Sequence, residues 1–383
     1  MTRSLVQHDI DTLDMSITRF LGRTQSIARI PVFLAAAGLH RLLTAEGSPD
    51  WNSIATDFHQ LTLPSRPTST SRGLITYHPW YQGFKTEAVH KCLSEAAALG
   101  TTFLRSDVRW KDVMPEGKNI NERALAWYLA YFQAVRRYGM EPMIVLSNPP
   151  RKTRRFTPKE LRTSWNTYLG HVADRFHSVC HLYQVLNEVN NPLYRIFPRR
   201  DIASVVSSSS EIIHQRIPGA RVVVNVLAGV FNWSRDADTL VDQCGSAIDV
   251  LGLDYYPGTW SLPDACDWSE IEDFIRGVNR SAGEGFSRKC DLAILETGYA
   301  SNIPLLRGPQ QQANYFRVWK TVIPRLETKC ASEKLAYVGI YELCDASSSV
   351  WLDPEAHFGL LDSRTFAHKP AFDEVHQLFS SLA

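Results

Sequence analysis

From Gly73 onward, short apolar runs alternate with amphipathic stretches. Apolar runs bounded by turn residues read as strands buried on both faces, the pattern of parallel sheets. They predict strands at Gly73–Tyr77, Thr102–Ser106, Pro142–Leu146, Leu182–Leu186, Arg221–Val226, Ala247–Leu253, Leu292–Leu295 and Ala336–Tyr341. The amphipathic stretches predict helices over Thr86–Leu99, Asn121–Tyr138 and Pro158–Phe176 and around Ile202–Gln215, with a last helix beginning near Pro370. Eight strands, each followed by a helical or long connecting segment, fit an α/β fold of the (β/α)8 TIM barrel type in count and length. The competing arrangement, an open doubly wound sheet, would usually carry a Gly-rich phosphate turn after its first strand. Here that turn is Tyr77-His78-Pro79-Trp80, aromatic and without a phosphate cradle, and the chain has no GxGxxG, P-loop or HExxH.

The first 72 residues break the rhythm. Ile30–Leu43 is their most apolar part, preceded by Arg19, Arg23 and Arg29 and interrupted by His40-Arg41. It is too short to span a bilayer, and it begins unusually far in for a signal peptide. An amphipathic helix packed on the main domain is the expected form. Leu63–Arg72 is rich in Pro, Ser and Thr and reads as a linker. The expected division is therefore a helical extension over 1–72 and a barrel over 73–383.

Composition narrows the partners. The formal net charge of +1 on 383 residues argues against nucleic acid or an acidic membrane as the main partner. The 10 Trp and 14 Tyr suit both large cores and sugar-binding clefts. The seven cysteines are scattered, with no CxxC pair and no zinc-ligand spacing, which excludes a structural zinc motif. An odd, dispersed set favours free thiols in a reducing compartment, hence a cytoplasmic over a secreted location. Asn232-Trp-Ser and Asn279-Arg-Ser match the glycosylation acceptor pattern, which arises often by chance.

Two strands end in a glutamate. Leu182–Leu186 runs into Asn187-Glu188, and Leu292–Leu295 runs into Glu296. In this barrel, active sites sit at the C-terminal ends of the strands, so both carboxyl groups are expected at one mouth. Two carboxylates facing across a cleft are the minimum apparatus for glycosidic cleavage: one protonates the leaving oxygen, the other attacks the anomeric carbon or activates water.

The pair, with its surroundings, resembles the glycoside hydrolase clan A superfamily, the retaining barrels with their glutamates on strands 4 and 7. Arg105, in Phe-Leu-Arg-Ser-Asp-Val-Arg-Trp, matches the arginine that family members place beside the nucleophile at the end of strand 2. Asp254-Tyr255-Tyr256-Pro257-Gly258-Thr259-Trp260 is similar to the family segment whose aromatic hydroxyl contacts the nucleophile; either tyrosine can be meant, with Tyr256 favoured. Tyr341-Glu342-Leu343-Cys344-Asp345, then His357-Phe358-Gly359-Leu360-Leu361-Asp362 and Lys369-Pro370-Ala371, resemble the closing segment. The resemblance runs from Gly73 to the C-terminus.

It implies that Glu188 is the general acid/base and Glu296 the nucleophile, at a separation of about 5–5.5 Å and without cofactor or metal. Asn187 is then placed to bond the sugar 2-hydroxyl. His78, Trp80, Trp110, Trp260, Glu342 and Trp351 lie in predicted lip segments and are candidates for sugar contacts. Many clan members floor the first subsite with a Trp at the end of strand 8; here that place reads Tyr341-Glu342-Leu343. Glu342 and Asp345 can bind hydroxyls or order the loop. The expected partner is a glycoside or β-linked oligosaccharide, with exo action or short substrates favoured by long loops after strands 4 and 6. A non-hydrolytic carbohydrate-binding barrel and a transglycosylase acting on a glycosylated small molecule are the competing functions.

Overall fold

The structure, a computed structural model, describes residues 49–55, 58, 71–230, 232–259, 267–281, 290–302, 308–330, 334–346 and 353–382. The predicted N-terminal helix, most of the predicted linker, Trp260 and Trp351 lie outside the described residues.

Eight parallel strands close into a barrel in sequence order. They are β1 (Gly73–Thr76), β2 (Phe103–Arg109), β3 (Glu141–Ser147), β4 (Leu182–Val185), β5 (Arg221–Leu227), β6 (Val250–Asp254), β7 (Asp291–Glu296) and β8 (Val338–Ile340). Around them lie α1 (Thr86–Ala98), the single turn α2 (Trp110–Val113), α3 (Glu122–Arg137), α4 (Pro158–Phe176), α5 (Ile202–Arg216), α6 (Trp233–Cys244), α7 (Ser269–Ser281), α8 (Pro309–Glu327) and α9 (Ala371–Ser381). Local signals set their starts. Asn121 accepts from the Ala124 N–H at 3.2 Å ahead of α3, and Thr157 with Glu160 closes a capping box ahead of α4. Among the described residues, no helix is long and apolar enough to cross a membrane.

The barrel interior is layered with the period of two that strands impose. Leu74, Met143, Leu182, Val223, Val250, Ala293, Leu295 and Tyr337 pack together as an apolar plug. Two residues further along their strands come Thr76, Gln184 and Asn225, joined by Arg105 on β2 and by Asp254, four residues past Val250, all buried and polar. The core is thus apolar below and hydrogen-bonding above, toward the mouth where the chain leaves each strand.

Two strands depart from the simple pattern. Arg105 does not end β2, as expected from sequence, but sits inside it, because Ser106–Arg109 continue the parallel ladder against Ile144–Ser147. In β7, strict alternation would turn Glu296 away from the lumen, since Leu295 is in the plug. A register shift skips Leu295 and pairs Glu296 with Asp254. Bulges re-aim side chains in this way. Gly252 makes the bulge fit: a Cβ there would lie 2.2 Å from the Leu295 side chain.

Part of the predicted extension docks on the barrel. Trp51 is buried with its ring 4.9 Å from that of Phe84, and the Phe58 ring lies 5.8 Å from that of Trp127 on α3. The six described cysteines are free thiols.

Candidate active site

Arg105 is the hub of the polar layer. Its Nε donates to Gln184 at 2.7 Å and its Nη2 to Asn187 at 2.9 Å, while Nη1 reaches both Thr76 at 3.3 Å and a Glu296 carboxylate oxygen. The guanidinium is 2% exposed, so its charge has to be met by protein, and Glu296 meets it. The other Glu296 oxygen accepts from the Tyr256 hydroxyl. Both Glu296 oxygens are thus held by donors, one of them cationic.

Glu188 has a different setting. The chain past β4 passes through left-handed backbone at Leu186 (φ 67°) and Glu188 (φ 43°). Non-glycine residues there cost of order 1–3 kcal/mol each and persist only where their surroundings over-determine them. Asn225 of β5 does so: its side-chain oxygen accepts the Glu188 N–H at 2.8 Å and its backbone carbonyl the Val189 N–H at 3.1 Å. One Glu188 carboxyl oxygen accepts from Asn191 at 2.6 Å. Among the described residues, no cation lies within salt-bridge distance of it.

Glu188, Glu296 and Asp254 each place a carboxyl oxygen within 4.8 Å of the others. At an effective dielectric of about 20, two anions at that range repel by roughly 3 kcal/mol. Arg105 and Tyr256 occupy both Glu296 oxygens, so Glu296 is the best compensated of the three carboxyl groups. Accordingly, burial and then the Glu296 charge push the Glu188 carboxyl up to about 8. Burial, then Glu296 and Glu188, raise Asp254 well above the usual range. With both Glu296 oxygens and one of Glu188 spent on hydrogen bonds, the three form a proton-sharing cluster rather than an open cation cage.

Asn187 lies between the two halves. Its side-chain oxygen accepts from Arg105, from Gln184 at 3.0 Å and from Asn225 at 3.1 Å. Its acceptor side is used up, so what it offers the cleft is an N–H.

The other face of the mouth comes from β1, β2 and β8. His78 places Nδ1 at 3.3 Å from Asp107 and Nε2 at 3.9 Å from Glu342. Its ring lies 4.3 Å from that of Trp80, itself under the Arg109 guanidinium at 4.7 Å. Tyr341, whose peptide bond to Glu342 is cis, packs edge-on at 6.0 Å from Tyr256 and 5.8 Å from His78. Glu342 is fully buried, with neither carboxyl oxygen hydrogen-bonded among the described residues. Burial, then Glu355 and Asp345, raise it well above the usual range. Asp345 behaves otherwise: it pairs with Lys369 at 2.7 Å and accepts the Gly359 N–H at 2.8 Å, ordering the closing loop.

The structure thus brings together Arg105, Asn187, Glu188, Tyr256 and Glu296, with His78, Trp80 and Glu342 across the mouth. Tyr255 turns away, its hydroxyl donating to the Asp267 carbonyl at 2.8 Å and its ring packing on Trp268. Trp110 is core, stacked on Tyr168 at 5.6 Å. Sequence reading passed over Gln184, Asn225, Asp254 and Tyr341. A signal existed for the first two, each a polar residue within an otherwise apolar strand, LYQV and RVVVNVL.

Solved structures share this architecture. A family 39 glycoside hydrolase from Bacteroides cellulosilyticus superposes with a TM-score of 0.61 at 17% identity, over 83% of this chain and 65% of the other. An exo-β-1,4-mannosidase from an Opitutaceae bacterium gives 0.62 at 16%, over 84% and 62%. A GH5_18 protein from Streptomyces cattleya gives 0.63 at 15%, over 82% and 81%. What these structures share with the chain is the fold, a closed eight-stranded parallel (β/α)8 barrel. Two curated relatives, both 6-phospho-β-glucosidases, share shorter stretches. The one from Clostridium longisporum is 23% identical over 221 residues, 55% of this chain and 43% of its own length. That from Dickeya chrysanthemi is 25% identical over 185 residues, 42% of this chain and 38% of its own. The match thus spans less than half of each curated relative. No family model matches the chain.

Proposed function

We propose that this chain is a retaining β-glycosidase, with residues 73–383 as the catalytic domain. The observation that carries this reading is the unequal carboxyl pair: Glu296 anionic against Arg105 and Tyr256, and Glu188 protonated within 4.8 Å of it. Inverting enzymes keep their carboxyl groups about 6.5–9.5 Å apart to admit a water; this shorter gap suits direct attack.

In the first step Glu188 gives its proton to the glycosidic oxygen as the bond to the anomeric carbon breaks. Glu296 attacks that carbon from the opposite face and becomes an ester. The charge that raised Glu188 is thereby consumed, so its carboxylate is a competent base for the water that cleaves the ester. Asn187 presents its N–H to the 2-hydroxyl. Glu342, with two buried oxygens lacking protein hydrogen-bond partners, is suited to sugar hydroxyls, with His78 and Trp80 beside it. A buried polar group left unmet is costly, and a substrate hydroxyl would meet it.

The test is nitrophenol release from aryl β- and α-glycosides, including glucosides, mannosides and 6-phosphoglucosides because relatives and neighbours carry those names. Turnover of a β-glycoside is expected, lost by on the order of 10⁴-fold in Glu296→Ala and partly restored there by azide or formate. Activity that survives loss of Glu296 would overturn the mechanism. Binding of sugars without turnover of any substrate would favour the binding-barrel alternative.

A further inference from the structure

Asp254 has no part in the chemistry above, yet it is fully buried beside both glutamates. It ends β6, pairs in register with Glu296, and accepts from the Asn225 side-chain nitrogen through one carboxyl oxygen; the other has no hydrogen-bond partner. We propose that Asp254 is a positioning residue for the acid/base: it fixes which way the Asn225 amide faces, and the amide so fixed holds the backbone of Glu188. The proposal rests on the reading of Glu188 as acid/base.

The argument is one of donors and acceptors. The Asn225 amide sits in a surround that permits one orientation. Its nitrogen faces two acceptors, Asp254 and the Asn187 oxygen at 3.1 Å. Its oxygen faces two donors, Gln184 Nε2 at 2.9 Å and the Glu188 N–H at 2.8 Å. A flipped amide would set donor against donor twice and acceptor against acceptor twice, leaving buried polar groups unmet. Without Asp254, only Asn187 would hold the nitrogen side, and Asn187 is itself shared with Arg105 and Gln184.

What this linkage restrains is the left-handed backbone at Glu188, φ 43°, the kind of conformation that relaxes when its restraint is loosened. A small drift of the acid/base carboxyl away from the leaving oxygen costs proton transfer far more than it costs binding. Burial beside two glutamates raises the Asp254 carboxyl well above its usual range. A carboxamide of the same shape retains the acceptor oxygen that faces Asn225.

The experiment compares Asp254→Leu with Asp254→Asn on aryl β-glycosides of graded leaving-group acidity, with active sites counted by trapping the glycosyl-enzyme. Asp254→Leu removes the acceptor at similar volume. It is expected to lower kcat by on the order of 10²-fold for poor leaving groups and only a few-fold for dinitrophenyl glycosides, with KM nearly constant. Asp254→Asn is expected to bring the leaving-group slope back toward that of the wild type. Asn225→Ala breaks the same linkage from the other side and should reproduce the steep slope, which keeps the test decisive if Asp254→Leu does not fold. Equal losses across all leaving groups, or an Asn variant as impaired as the Leu variant, would overturn the proposal. A flat slope in Glu188→Ala would instead count against the acid/base reading itself.

Discussion

The ends of β4 and β7 carry the same residue type, and the barrel treats them in opposite ways. At β7 a bulge turns Glu296 onto a buried guanidinium and a phenol, two donors that match an anion. At β4 a left-handed turn sets Glu188 among amides, with Asn191 as its one side-chain donor and no cation. One carboxyl group is compensated and the other is not, so within 4.8 Å of each other they cannot share a protonation state. Under the proposed mechanism, acid and nucleophile are assigned by neighbours rather than by residue identity.

The strongest way to break that asymmetry is to delete the acid. Glu188→Ala should lower kcat for poor leaving groups by about 10²–10⁴-fold and leave activated aryl glycosides far less affected. In the wild type, a Glu188 carboxyl pushed up to about 8 is protonated below that pH and ionised above it. The kcat/KM profile should thus stay high through neutrality and fall on a basic limb near pH 8, a limb absent from Glu188→Ala. A profile whose basic limb began near pH 5 would contradict the assignment.

Next comes the compensating charge. Arg105→Lys keeps a cation but loses the fork that reaches Gln184, Asn187, Thr76 and Glu296 together. A fall of about 10²–10³-fold in kcat is expected, with the basic limb displaced as the proton is shared more evenly. Tyr256→Phe removes one donor and leaves the cation. It should cost about tenfold, read most clearly in the glycosylation step, since the hydroxyl's partner is the attacking oxygen.

How far the asymmetry could be read in the sequence follows from which contacts are local. The alternation of strands and helices is a local pattern, and so the barrel was legible, as were glutamates at two strand ends. Resemblance added Arg105 and favoured Tyr256 over Tyr255, which the opposite directions of the two side chains now explain. The bulge that turns Glu296 inward was not legible. It depends on Leu295 finding room against Gly252, a neighbour on another strand. Gln184 and Asn225 were passed over because one polar residue in an apolar run reads as noise until the strands beside it are known. Asn225 matters through partners on two other strands and their ends: Gln184, Asn187 and Glu188 in and just past β4, and Asp254 at the end of β6. Tyr341 was placed at the end of strand 8 by the sequence, but its packing on Tyr256 and His78 comes from other strands.

The finest discrimination between the two lips is in stability, where one substitution should act with opposite sign. Burial raises the folded-state Glu188 carboxyl to about 8, against an ordinary value near 4.3. Between those values the folded chain binds more protons than the unfolded one, so stability from this group falls as pH rises through the window. Below pH 4 no deficit exists, and above pH 8 it is complete. Glu188→Gln removes the titration while its carbonyl still accepts from Asn191. It should raise Tm at pH 8 and leave it unchanged at pH 4. Glu296→Gln should instead lower Tm at pH 8, because it leaves the buried Arg105 guanidinium without its counter-charge. Thermal denaturation of both variants at the two pH values reads the difference directly. If both shift Tm in the same direction at pH 8, the two carboxyl groups do not hold the opposite charge states on which the assignment of acid and nucleophile depends.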